Sequence, residues 1–146
     1  MRKENMTFEE TLNKRAEWKS MDGLEKRIKI AEYNGWTGIW KPSRNSNLSY
    51  GLKRKKLYGR LYNSKEDGYV PNYIRDLNAI HKAIKNQPLS FSVMFYNKLG
   101  VIIGHHDHME IEMVNADAEQ RAEAFYLAME SQNEAEKAEK LNESEN

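Results

Sequence analysis

Leu89–Tyr96 (LSFSVMFY) sets Leu89, Phe91, Val93 and Phe95 against Ser90, Ser92, Met94 and Tyr96. Period-two alternation places alternate side chains on opposite faces of an extended chain, so the spacing predicts a half-buried strand. Asn97-Lys98-Leu99-Gly100 then reads as a hairpin connection, Val101-Ile102-Ile103 as the returning strand, and His108–Met113 as a further strand. A sheet pattern of this kind needs helices to cover its apolar face.

Helical spacing supplies them. Thr7, with Glu10 three residues on, reads as a capping box opening an N-terminal helix. Asp22 or Ser20 caps a second helix from about Gly23 to Tyr33, whose buried stripe is Leu24, Ile28 and Ala31 with Ile30 beside it. Asn34-Gly35 stops it, since both residues tolerate the left-handed conformation. A middle helix is expected from Asn72 to about Lys85, with Ile74, Leu77, Ile80 (or His81) and Ile84 repeating at three or four residues. The last packed helix follows Asn115 or Asp117, burying Ala118, Ala122, Phe125, Tyr126 and Met129.

Between these helices, WTGIWK reads as a short strand in which Trp36 and Trp40 share a face. YGLKRKKLYGRLYN reads as a strand pair or irregular ribbon, and SKEDGYVP as a loop. The expected class is α+β: a small antiparallel sheet packed with helices, in the order helix, strands, helix, strands, helix. Residues 1–20 form a weakly anchored helical segment, 21–130 a single α/β domain with a basic ribbon at 41–62, and 131–146 an acidic flexible tail.

Composition narrows the chemistry. Cys is absent, which removes disulfides, thiolate metal sites and cysteine nucleophiles. No apolar run approaches the length of a membrane span, and the charged N-terminus lacks the apolar core of a secretory signal. A net charge of +1 hides an uneven distribution: from Glu130 onward the balance is −4. No acidic residue lies between Tyr33 and Lys65, an interval that holds Lys41, Arg44, Lys53, Arg54, Lys55, Lys56, Arg60 and Lys65.

Two stretches carry candidate chemistry. In Gly104-His105-His106-Asp107-His108, His106 and His108 alternate and would share one face of a strand. Two imidazoles form only part of a metal site, which needs a further ligand such as His81, Asp76 or Glu110, so a polar strand face is the leading reading. The basic ribbon is the stronger candidate: Lys53, Arg54, Lys55, Lys56 and Arg60 are interleaved with Tyr50, Tyr58 and Tyr62. Cations can engage phosphate while tyrosines stack on bases. The same set suits a small phosphorylated nucleotide or an acidic protein surface. No phosphate-binding glycine loop, dinucleotide fingerprint or nucleophile elbow is present.

Gly35-Trp36 after the short helix, Val70-Pro71-Asn72-Tyr73 leading into Arg75-Asp76-Leu77-Asn78-Ala79-Ile80, and the alanine-rich Arg121-Ala122-Glu123-Ala124 give residues 23–130 a family likeness. Together they resemble the phage alpha-beta-alpha sandwich domain. The basic insertion and GHHDH depart from that pattern. The resemblance implies a phage-encoded accessory protein and transfers no catalytic residue. The resulting expectation is a binding protein of the host cytoplasm without a cofactor, more a binder than an enzyme. It would counter a host defence by sequestering a phosphorylated nucleotide or occluding a host protein, and would self-associate through open sheet edges. The alternatives are a nucleic-acid-binding accessory protein and a metal-dependent hydrolase using His106 and His108.

Overall fold

The computed structural model describes residues 6–41, 56–62, 64–104 and 109–144. It is a small α+β domain in which a three-stranded antiparallel sheet packs against several helices. The chain runs α1 (Phe8–Ser20), α2 (Gly23–Tyr33), β1 (Trp36–Trp40), β2 (Leu57–Leu61) and β3 (Gly68–Val70). It continues through α3 (Leu77–Lys85), α4 (Leu89–Ile103), α5 (Met109–Val114) and α6 (Ala118–Ser144).

The organising element is α6. Residues 121–128 are buried on every side of the helix, including Ala122, Ala124, Phe125, Tyr126, Leu127 and Ala128. Six of these eight residues are apolar, which suits an interior position, and the small alanines let neighbouring backbones come close. α1, α2, α3 and α4 all pack against it. Arg121 is buried too, its guanidinium donating to the carbonyls of Met113, Val114 and Ala116, which satisfies the otherwise open end of α5. Beyond Glu130 the chain expected as a tail continues α6 to Ser144. Ser131 is buried and accepts a hydrogen bond from the Met6 amide at 3.3 Å.

The capping box on α1 forms as expected, Thr7 Oγ1 accepting from the Glu10 amide while Glu10 accepts from that of Thr7. Despite its polar sequence α1 is anchored by Trp18, 2% exposed, with its ring 5.2 Å from that of Tyr126. Asp22 caps α2 through the Glu25 amide. Asp76, rather than Asn72, caps α3, because Asn72 sits in the preceding turn and accepts from the amides of Arg75 and Asp76.

The largest departure from expectation is α4. LSFSVMFY is helical, and the segments taken for a hairpin and a returning strand continue the same helix. Phe91, Phe95 and Leu99 recur every four residues and are wholly buried, whereas Leu89 is 81% and Val93 60% exposed. A phenylalanine pair four apart satisfies both periods over eight residues; the following turns decide for the helix. α4 stops at Gly104, whose φ of 90° suits glycine. Residues 109–114, expected as strand, form α5. The second group of strands is therefore replaced by helices, and the sheet consists of β1, β2 and β3 alone among the described residues. Tyr69 and its neighbours, expected as loop, supply β3.

Candidate ligand-binding face

The sheet order is β1-β2-β3, with β2 central. Leu57 pairs with Val70, and both are buried against the helices. Alternation then turns the next residue, Tyr58, to the outer face together with its partner Tyr69. In β1 a bulge intervenes: Trp36 pairs with Leu61 and Thr37 with Arg60, but Trp40 pairs with Tyr58. The extra residue is accommodated at Gly38, where φ is 58°. It reverses the side of the strand's second half. Trp36 and Trp40, expected on one face, thus lie on opposite faces. Trp36 enters the core, its indole N–H donating to the Tyr73 hydroxyl at 3.1 Å, while Trp40 joins the outer face.

The result is a row of three rings across three strands. Trp40 stacks on Tyr58 with centroids 4.7 Å apart and planes 18° from parallel, and Tyr58 meets Tyr69 at 5.0 Å. Tyr58 is covered by its neighbours; Trp40 remains 38% and Tyr69 54% exposed. Lys56 places its ammonium 4.4 Å from the Tyr69 ring centre, a cation–π contact at the end of the row. At the other side, Asp67 accepts from Trp40 Nε1 at 3.0 Å and from Arg60 Nε at 3.1 Å. These two bonds, with the Arg60 charge adding to them, hold the Asp67 carboxyl below its ordinary value. One carboxylate thereby fixes both an exposed indole and a guanidinium. Burial, then the neighbouring Tyr69 phenol, pushes the Tyr58 phenol up, so it is neutral near pH 7.

Of the ribbon residues singled out from sequence, Lys56, Tyr58 and Arg60 meet on this face. Tyr62 does not. Its backbone turns at φ 36°, and its ring lies over Gly35, where a Cβ would fall 2.3 Å from a ring carbon. There it lines a separate cleft of about 220 Å³ with Trp36, Tyr73 and Lys82. Tyr50, Lys53, Arg54 and Lys55 lie outside the described residues, as do His105, His106, Asp107 and His108. Among the described residues no three histidine or carboxylate groups are placed to hold a metal ion, and His81 is exposed on α3. Nor is any described helix long and apolar enough to cross a membrane. Asp67 and Tyr69 join the face without having been singled out, and Trp40 joins it against the expectation that it shares a face with Trp36. The placement of Trp40 was hidden by the bulge, the other two by a stretch whose charged residues and Gly68 resemble a turn.

Comparison with protein-family models, curated proteins and solved structures gives no match to this chain.

Proposed function

We propose that the outer face of the sheet binds single-stranded nucleic acid, the bases stacking on Trp40 and Tyr69 and the phosphates held by Arg60 and Lys56. The aromatic row flanked by these cations carries the reading. A stacking surface accepts any base, because every base has a π face, and cations beside it track the backbone. Among the described residues the aromatic row runs continuously across the three strands, with Trp40 and Tyr69 exposed at its ends, which suits a strand better than a small molecule enclosed on most sides. In sequence Lys53, Arg54 and Lys55 run directly into Lys56, adding positive charge to the same part of the chain. In the phage setting implied by the family resemblance, such binding would serve an accessory protein acting on exposed strands in the host.

Fluorescence anisotropy with a labelled oligothymidylate tests this, using wild type, Trp40→Ala and Tyr69→Ala after circular dichroism confirms their folds. Stacking is worth about 1–3 kcal/mol per base, so each variant should weaken binding roughly 5- to 150-fold. Binding should also weaken steeply as salt is raised. Unchanged affinity in both variants, or no binding at low salt, would overturn the reading. Saturation by a mononucleotide with no gain for the longer strand would replace it with nucleotide sequestration.

A further inference from the structure

A second cationic feature lies where the start of α2, the end of β1 and the turn before α3 meet. A cleft of about 290 Å³ opens there, with Arg27, Lys41 and Arg75 in its walls and no acidic residue among the described residues that line it. Its three cations come from separate segments, so the fold, and not a local run of charge, brings them together. Neither Lys41 nor Arg75 forms an ion pair among the described residues. Burial, and then the charge of Arg75, lower the pKa of Arg27 from its ordinary value, so the two guanidinium groups are near enough to repel. An anion in the cleft would be attracted by both guanidinium groups and by Lys41.

Other groups in the wall are donors or can become donors. Gly23 and Leu24 begin α2, and the Asp22 carboxylate is committed to the Glu25 amide at 2.8 Å. The first two amides therefore keep the open-donor character of a helix start, at the positive end of its dipole. Asn72 also lines the cleft, and its buried Oδ1 has no hydrogen-bond partner among the described residues. A half-turn of that amide puts the donor Nδ2 in the same place.

We propose that this cleft binds a phosphate group, gripped by Arg27, Arg75 and Lys41. Planar guanidinium forks match the geometry of phosphate oxygens, and Lys41 adds a mobile point charge. The group could be carried by a phosphorylated small molecule or by the terminus of a nucleic-acid strand; the chemistry of capture is the same.

Thermal unfolding with inorganic phosphate titrated against chloride at matched ionic strength tests the proposal. The variants are Arg75→Ala and Lys41→Ala, whose side chains lie at the protein surface, with Lys137→Ala on α6 as a charge-matched control. Wild type and the control should gain stability with phosphate, and Arg75→Ala should weaken the fitted dissociation constant about tenfold, the loss of one charge-assisted hydrogen bond. A parallel titration compares 5′-phosphorylated with 5′-hydroxyl oligonucleotide. A preference for the phosphorylated strand that Arg75→Ala abolishes assigns the phosphate to a strand end; a response to free phosphate alone assigns it to a small molecule. Equal stabilisation of wild type, Arg75→Ala and Lys41→Ala by phosphate, or none in any of them, would overturn the site.

Discussion

Replacing Phe91 and Val93 by alanine, one at a time, separates the helical α4 from the strand that its alternation suggests. On a strand the two side chains would point the same way and be buried together. In α4, Phe91 is wholly buried with its ring edge-on to Phe125 at 5.0 Å, while Val93 is 60% exposed. Phe91→Ala removes a buried ring and leaves a cavity, a loss of about 3–5 kcal/mol. Val93→Ala removes little buried area and replaces a β-branched residue by the best helix former, so its net effect should stay within about 0.5 kcal/mol. For a chain of this size the first change should lower the melting temperature by roughly 6–20 °C, the second by no more than about 2 °C. Urea unfolding followed by far-ultraviolet circular dichroism gives the free energies directly. A Val93→Ala loss above about 1.5 kcal/mol, close to that of Phe91→Ala, would refute the helical placement.

Three further perturbations probe the polar groups and the backbone. Tyr33 donates to the Glu130 carboxylate; burial, then that bond, raises the phenol pKa. A raised folded pKa gives stability present below the unfolded value near 10 and lost as pH rises through the folded one. Tyr33→Phe should therefore make the alkaline decline in stability shallower by about one proton, measured by urea titrations between about pH 9 and 11.5. Lys98 is 7% exposed, donates to Thr11 Oγ1 at 3.0 Å, and has its pKa lowered by burial. Thr11→Val should cost about 1–3 kcal/mol by stranding the ammonium, and adding Lys98→Met should recover most of it in a double-mutant cycle. Gly35→Ala meets both an unfavourable φ of 89° and the Tyr62 ring. It should destabilise by about 1–3 kcal/mol in calorimetry, with only part of the loss relieved by Tyr62→Ala.

The caps of the first two helices were legible: Thr7 with Glu10, and Asp22, cap α1 and α2 as their spacing implies. The α2 stripe was legible only in part, since Ala31 and the flanking Ile30 are buried and Ile28 is partly buried, but Leu24 is exposed. The α6 stripe was legible, although Leu127 and Ala128 are buried beyond it because helices cover α6 on several sides. α4 was misread because eight residues with phenylalanines four apart fit two periods, and the tie is broken only by Leu99 and Ile102 further on. On the candidate face, the cationic and tyrosine character of β2 was visible in Lys56, Tyr58 and Arg60. Trp40 was not, because a single inserted residue at a bulge inverts a strand's facing and carries no strong local mark apart from Gly38. The Arg27–Arg75–Lys41 cleft joins residues up to 48 positions apart, a proximity that only the packed fold creates.

The indole N–H signals of the three tryptophans, followed by ¹⁵N-resolved NMR during titration with a short single-stranded oligonucleotide, test the binding face most directly. Trp18 is buried between helices, Trp36 donates to Tyr73 inside the core, and Trp40 alone lies on the outer face with its N–H on Asp67. Binding on that face should shift or broaden the Trp40 signal in proportion to occupancy and leave the Trp18 signal in place. A Trp40 signal unmoved at saturating oligonucleotide would contradict the account.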